Sequence, residues 1–402
     1  MRVLLVNKFL YPKGGAETYV LKLGETLQKH GHEVQYFGLC DERNVVGNSA
    51  EAYVSSVDFN KRTLKNIAAP FRIIYSAEAY KKITKVLEDF DPDTVHFNNI
   101  QFHLTPSIIL ATEKYRQKTK KSLKIVYTAH DYQLICPSHG LFDSNMNICE
   151  KCINGNYWNC VKSKCVKKSC AKSLLAMVDA YYWAYKEAYD YIDTILCPSH
   201  FLKAKLDLQE RFATKTVAIH NFIEAYNPEL TSKDGYVLEF GHLSRDKGTL
   251  TLLECAKRMP NVKFIFAGYG EAESEISKVP NAEYVGYKTG TDLENLIKGA
   301  ICTVCPSEMY ENCPYSVMES QMLGTPVIGA NIGGIPELIQ EGVTGYVFVP
   351  GNVDDLEQKL GYFVAPADQD ELSNFVEGCK NAEFETPDTY YQQLLEIYGW
   401  TI

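Results

Sequence analysis

No apolar stretch in this 402-residue chain is long enough to cross a bilayer: runs such as Val3 to Val6 and Ile108 to Ala111 fall far short of the roughly 20 residues required. The amino end also lacks the h-region of a secretory signal, because Arg2 leads into a short apolar strand and then into charged residues. The expected location is therefore the cytoplasm. No short tandem repeat is visible, which argues against a repeat array. Nor is there the bias of a disordered or collagen-like chain, since apolar residues make up 46% and charged residues 23%. What remains is a globular protein, too long for one ordinary domain and comfortable for two.

Charge is unevenly shared between the halves. Residues 1–223 hold 30 Lys and Arg against 22 Asp and Glu, a net of +8, whereas residues 224–402 hold 11 against 28, a net of -17. The basic excess gathers in Lys61 to Lys85, Lys114 to Lys124 and Lys162 to Lys172. Such runs attract an anionic surface within a Debye length, and they are equally what solvated helix faces look like. A phosphorylated or membrane-borne partner suits the first reading, at the inner face of a membrane.

Along the chain, strand and helix alternate. Arg2 to Val6 reads as a buried strand, and Gly14 and Gly15 sit at the turn into a helix reaching His30. His32 to Gly38, Thr94 to Asn98, Lys124 to Ala129, Thr194 to Cys197 and Val217 to Ile219 are further strands. Pro70 to Asp89, Pro106 to Tyr115, Ser173 to Tyr191 and a segment from Phe201 are helices. The alternation predicts a parallel sheet with right-handed crossovers. Polar residues 224–235 coincide with the charge reversal and read as a linker. A second alternation follows, with strands at Tyr236 to Phe240, Lys263 to Ala267 and Cys302 to Cys305, and helices at Leu250 to Arg258 and Leu293 to Lys298. The expected organisation is a domain over 1–223, a linker over 224–235, a second domain over 236–380, and a terminal helix within 381–402 returning to the first domain. Both domains are doubly wound α/β, with ligands expected at the carboxyl ends of their strands.

Chemistry concentrates between Pro306 and Ile328. Glu311 and Glu319 stand eight apart, separated by the loop-like Asn312-Cys313-Pro314 and followed by a helix through Met322. Carboxylates suit polyols because each oxygen accepts hydrogen bonds from hydroxyls, and a charged acceptor strengthens them. The amino end of that helix offers unpaired N–H groups and a positive dipole to a diphosphate. Spacing alone equally describes a solvated helix face.

The motif Glu311, seven residues, Glu319, then Gly324-Thr-Pro-Val-Ile328 resembles the signature of the family 4 glycosyltransferases, which have the GT-B fold of two facing Rossmann-like domains. Gly333-Gly334-Ile335-Pro336-Glu337, Gly342-Val-Thr-Gly345, Gly14-Gly15-Ala16-Glu17, Thr128-Ala-His-Asp131, Pro198-Ser199, His220-Asn221 and Phe240 to Gly248 extend the likeness over nearly the whole chain. The resemblance implies a retaining transfer from a nucleotide-sugar donor to a glycan or lipid-diphosphate-linked acceptor, as in bacterial surface polysaccharide synthesis. It implies that Lys247 neutralises the departing diphosphate, that Glu311 holds the sugar and Glu319 the ribose, and that His130 meets the donor sugar. Gly14, Gly15, Gly268 and the segment Asn312, Cys313, Pro314 and Tyr315 complete the donor contacts. Where the family commonly carries an Arg, this chain has His242, and either His242 or the nearby Arg245 takes that place. No Asp-x-Asp pair stands where a metal would be expected, so catalysis should need no cofactor and persist with a chelator.

Thirteen cysteines occur, five of them at Cys149-x2-Cys152-x7-Cys160-x4-Cys165-x4-Cys170 with Cys136 upstream. A cytoplasmic chain keeps thiols reduced, which favours metal over disulfides, and four thiolates close a tetrahedral zinc site. A subset of similar transferases has this insertion, over about residues 136–172, with four matching spacings. That likeness points to Cys149, Cys152, Cys160 and Cys165 as holding a structural zinc, with Cys136 and Cys170 as substitutes and unligated thiols or redox bridges as the alternative. Competing functions are a nucleotide-sugar epimerase or a silent nucleotide-sugar binder of the same fold. A zinc-containing nucleic-acid binder is disfavoured by the acidic second half and by basic runs without regular aromatic interleaving, so no nucleic-acid partner is expected.

Overall fold

The computed structural model describes residues 1–56, 69–224, 233–364 and 369–400. The chain forms two compact units, residues 1–222 with 387–402 and residues 223–386. Most of the expected 224–235 linker lies outside the described residues.

Unit 1 is built on six parallel strands: β1 (Arg2–Val6), β2 (Glu33–Phe37), β3 (Thr94–Phe97), β4 (Lys124–Thr128), β5 (Thr194–Cys197) and β6 (Thr216–Ala218), in the order β2-β1-β3-β4-β5-β6. β1 pairs with β2 on one side and β3 on the other, Leu4 facing Gln35 and Val95. The middle strands read as near-continuous apolar runs because helices cover both faces of a parallel sheet. Val3, Leu4, Leu5, Val6, Val95 and Phe97 are fully buried.

Unit 2 repeats the architecture with β7 (Tyr236–His242), β8 (Lys263–Tyr269), β9 (Ala282–Gly286), β10 (Ala300–Cys305), β11 (Val327–Ala330) and β12 (Gly345–Phe348), ordered β12-β11-β10-β7-β8-β9. Its core gathers Val237, Leu252, Phe264, Phe266, Ile328 and Phe348. In this order β7 lies beside β10, where the winding reverses; in unit 1 the reversal lies between β1 and β3. At such a switch point two neighbouring strands send their following loops to opposite sides and leave a crevice at their carboxyl ends.

Two of the helices that differ from expectation are decided by a serine cap. The stretch expected as one helix over Pro70 to Asp89 is two, Ala69–Ile74 and Ala77–Phe90. The Ser76 hydroxyl accepts from the Ala79 amide at 3.2 Å and starts the second helix afresh. The helix expected from Ser173 spans Cys170–Tyr185, because Ser169 caps it in the same way toward Lys172. A short 3-10 turn over Ala188–Tyr191 follows.

The Pro387–Tyr398 helix belongs to unit 1. Tyr390, Leu394 and Tyr398 are buried in the core that also holds Tyr19, Leu23 and Val126. No helix among the described residues is long and apolar enough to cross a membrane.

Candidate active site

At the switch point of unit 2 the loop after β7 and the loop after β10 are laced together. The Glu308 amide donates to the Asp246 carbonyl at 3.0 Å, and the Thr251 hydroxyl donates to the Glu308 carboxylate at 2.5 Å. Gly248 has φ +79°, and a Cβ there would stand 1.9 Å from the Pro306 carbonyl oxygen. Only glycine allows this left-handed turn at that closeness, and the turn launches the Thr249–Arg258 helix immediately after Lys247.

The consequence is an ion pair. The Lys247 ammonium donates to Glu311 Oε1, and the Ser307 hydroxyl reaches the same oxygen at 3.4 Å. Burial acts to lower the Lys247 pKa, but the adjacent Glu311 carboxylate outweighs it and holds the amine above its ordinary value. Lys247 is therefore a permanent cation at neutral pH. Glu311 is itself fixed from behind: the Gly334 amide donates to its carbonyl at 2.7 Å, and Gly333 lies so close that a Cβ would meet that carbonyl at 2.2 Å.

Asn312, Cys313 and Pro314 lead from Glu311 into the Tyr315–Met322 helix, which has no side-chain cap at its amino end. Its first-turn N–H groups are the kind that favour an anion. Cys313 is buried, with its thiol 4.0 Å from the Met318 sulfur. Tyr315 opens the helix. Glu319 is its fifth residue, a little over one turn from the start.

Arg245 stands apart from the ion pair. It is exposed, and its carbonyl accepts the Gly248 amide at 3.0 Å, which closes the turn. His242, at the end of β7, is also exposed and meets the Tyr269 ring edge-on at 5.2 Å. Gly268 serves the close approach of two strand ends, since a Cβ there would meet the Gly241 carbonyl at 1.9 Å.

Four neighbours, Glu239, Cys305, Tyr269 and Tyr287, were not read from the sequence. Glu239, in the middle of β7, is 4% exposed; Thr249 donates to its Oε1 at 2.8 Å, while its buried Oε2 has no hydrogen-bond partner among the described residues. Burial pushes its carboxyl up to about 8. The Cys305 thiol, at the end of β10, is pushed up to about 12 by burial and by Glu311. Finally, His242, Tyr269 and Tyr287 line the carboxyl ends of β7, β8 and β9, with Tyr269 and Tyr287 5.6 Å apart. Each follows a glycine, Gly241, Gly268 and Gly286, and that threefold glycine-aromatic step was a readable signal.

In unit 1, Gly14 precedes the Gly15–Lys29 helix in an extended conformation, and no side chain caps that end. A Cβ on Gly14 would meet only the Glu17 carboxylate, at 3.4 Å, so packing within the chain does not require glycine there. His130 follows β4, and its Nε2 donates to Asn98 Oδ1 at 2.9 Å. Burial lowers its pKa to about 3, which leaves a neutral imidazole. Tyr19 meets the His130 ring edge-on at 5.0 Å. The Tyr19 hydroxyl is linked to Thr128 at 3.2 Å and Tyr390 at 2.7 Å, and His96 bridges Thr128 and Tyr398 at 2.7 Å each.

The cysteine segment brings several thiols together. Cys152 and Cys160 pack with Tyr157 and Met177 in a small apolar cluster, and Cys165 lies against it. Cys160 and Cys165 share a thiol hydrogen bond that raises the Cys160 pKa and lowers that of Cys165. Among the described residues no group of three or more His, Cys, Asp or Glu side chains is placed to hold a metal ion. Cys149, the fourth thiol of the expected set, is half-buried.

Comparison with known proteins agrees across the chain. Residues 13–225 match the family described as Glycosyltransferase Family 4, and residues 223–377 match Glycosyl transferases group 1. An uncharacterized 42.6 kDa protein in the cps region of Klebsiella pneumoniae is 24% identical over 392 residues, covering 90% of this chain and 96% of that protein. The lipopolysaccharide 1,2-N-acetylglucosaminetransferase of Salmonella typhimurium is 28% identical over 181 residues, 38% of this chain and 48% of the transferase. Among solved structures, Anabaena HepE in complex with UDP and glucose superposes with a TM-score of 0.66 at 15% identity, covering 100% of both chains. The last shows a shared fold, the two-sheet α/β architecture called GT-B.

Proposed function

This chain belongs to glycosyltransferase family 4, and on that premise we propose that it moves a sugar, with retention of configuration, from a nucleotide-diphosphate sugar to a glycan or lipid-diphosphate-linked acceptor in surface polysaccharide synthesis. The observation that carries the reading is the Lys247–Glu311 ion pair at the switch point of unit 2. A cation and a carboxylate held side by side fit the two ends of the bond that must break. The ammonium meets the diphosphate oxygen on which charge develops, and the carboxylate accepts from sugar hydroxyls. Neither group needs to move a proton.

In the proposed step the acceptor hydroxyl attacks the anomeric carbon from the face that the diphosphate leaves. The carbon–oxygen bond to the diphosphate breaks as the new one forms, and the acceptor's proton passes to the departing phosphate oxygen. Lys247 and the amino end of the Tyr315–Met322 helix stabilise the leaving charge, and Glu311 orients the sugar. Glu319 is assigned to the ribose and the His242-Tyr269-Tyr287 edge to the base. The neutral His130 imidazole is assigned to the donor sugar. UDP and glucose in HepE support a UDP-sugar as the first donor to try, and the cps-region and lipopolysaccharide relatives support the polysaccharide setting.

The test uses the full chain with a panel of nucleoside diphosphates and their sugars, followed by transfer to glycan and lipid-diphosphate acceptors. Lys247→Ala is expected to lower kcat by roughly a hundredfold or more, as loss of a charge stabiliser does, and Glu311→Gln to lower kcat and weaken sugar selectivity. Transfer at an unchanged rate with excess chelator is expected. Full transfer by both variants would remove the assignment, and epimerised donor formed without acceptor would replace transfer with epimerisation.

A further inference from the structure

The Cys170–Tyr185 helix carries apolar side chains on the side turned away from its own unit. Leu174, Val178, Tyr181 and Tyr185 are each at least 41% exposed, Tyr185 reaching 81%. Their spacing of four, three and four residues confines them to about 60° of the helix circumference. Met177 and Trp183, on other sides of the same helix, are buried. The short Trp158–Lys162 helix packs beside it, and its Trp158 is also about half exposed.

Charge on the amino-terminal side of this stripe is of one sign. Residues 151–178 contain six Lys and no Asp or Glu. Lys162, Lys164, Lys167, Lys168 and Lys172 are all exposed. Asp179 lies well round the helix from the stripe, with its carboxylate accepting from the Trp183 indole at 3.1 Å. Beyond the helix, Lys186 lies over the Tyr182 and Tyr185 rings; Glu187 is exposed there, and Asp190 is paired with Arg211.

We propose that this face is a membrane-docking surface that lays Leu174, Val178, Tyr181, Tyr185 and Trp158 into the interface of an anionic bilayer while the lysines meet lipid phosphates. Aromatic side chains with a polar atom suit the headgroup boundary, and Lys stems cover apolar surface while their ammonium groups stay in water. Charge complementarity selects the occupant. An apolar stripe alone would serve a protein partner equally well, but a lysine cluster without acidic residues matches a sheet of phosphates. The surface deepens the proposed use of a lipid-linked acceptor, because it would hold unit 1 where that acceptor lies. It is read by vesicle binding, whereas the transferase assignment is read by nucleotide binding and transfer, so the two fail separately.

The experiment is co-sedimentation of the full chain with phosphatidylcholine vesicles, with and without about one third phosphatidylglycerol. Binding is expected to the anionic vesicles only and to fall as salt rises from about 0.1 M to about 1 M. Trp158 fluorescence should shift to the blue on binding, a shift lost in Trp158→Phe. Val178→Ser with Tyr185→Ser should lower partitioning about tenfold or more, since both apolar burial and a membrane-interface aromatic are lost. Lys164→Gln, Lys167→Gln and Lys168→Gln together should lower it by roughly fivefold per lysine. All these side chains are exposed, and unchanged thermal midpoints and nucleotide binding verify that the variants fold. Absence of binding to anionic vesicles, equal binding to neutral ones, or wild-type binding by the Val178 and Tyr185 variant would overturn the proposal. So would self-association abolished by that variant without vesicle binding, which would make the face a protein interface.

Discussion

Glu239 shows how burial alone can change what a residue is. On β7, with Thr249 as hydrogen-bond partner and its second oxygen buried, its carboxyl is raised to about 8 and is mostly uncharged at neutral pH. The unfolded chain releases that proton near 4.5, so the stability this acid allows is fully present below that pH and is lost as pH rises through about 8. Glu239→Gln keeps the shape and the acceptor for Thr249 but cannot ionise. Its thermal midpoint should fall less steeply between about pH 4.5 and 8 than that of the wild type; parallel curves would show that Glu239 does not titrate in this window. His96 and His130 act in the opposite sense in unit 1. Both are lowered to about 3 by burial, so the stability tied to their neutral forms is lost as pH falls below about 6.5 and on toward 3. Nothing local in Tyr236-Val-Leu-Glu239-Phe240 marked the acid as special, because its environment is supplied by the following helix and by β10.

At the scale of elements, the alternation of strands and helices was legible because parallel strands covered on both faces read as short apolar runs between amphipathic segments. β1 and β5 lie at the expected residues, and the other named strands begin or end within a residue or two of them. What escaped were events decided by a single side chain, such as Ser76 restarting a helix inside an apparently continuous pattern. In the site, the glutamates and Lys247 stood out by motif, whereas the aromatic edge formed by three strand ends did not. Its members lie 27 and 18 residues apart in the chain, and only strand order makes them neighbours. A base stacked on an aromatic ring gains about 1–3 kcal/mol. Tyr269→Ala with Tyr287→Ala should therefore weaken binding of the nucleoside diphosphate by roughly tenfold or more and leave the ratio between sugars of one nucleotide unchanged. Calorimetric titration of both proteins checks this, and a change in sugar preference with intact nucleotide affinity would move the base elsewhere.

At the scale of the whole molecule, the Pro387–Tyr398 helix is far from the rest of unit 1 in sequence yet built into it. Pro387–Tyr398 lies beyond all of unit 2 in the chain, and it fills the unit 1 core with Tyr390, Tyr391, Leu394, Leu395 and Tyr398. Its hydroxyls also complete polar contacts that would otherwise be left open: Tyr390 with Tyr19, Tyr398 with His96, and Tyr391 with His32. A chain ending at Thr386 would expose the apolar faces of Tyr19, Leu23 and Leu27 and leave His96 Nδ1 buried without its partner. Loss of several buried aromatic and leucine side chains, at about 2–5 kcal/mol each, approaches the entire stability of an ordinary domain. Unit 2 loses nothing, since Ile223 to Thr386 keeps its own core. The truncated chain should therefore lose hydrogen-exchange protection across β1, β3 and β4 while β7, β8 and β10 stay protected. It should also still bind nucleoside diphosphate near wild-type strength but fail to transfer sugar. Uniform loss of protection in both units would show instead that they fold as one cooperative body.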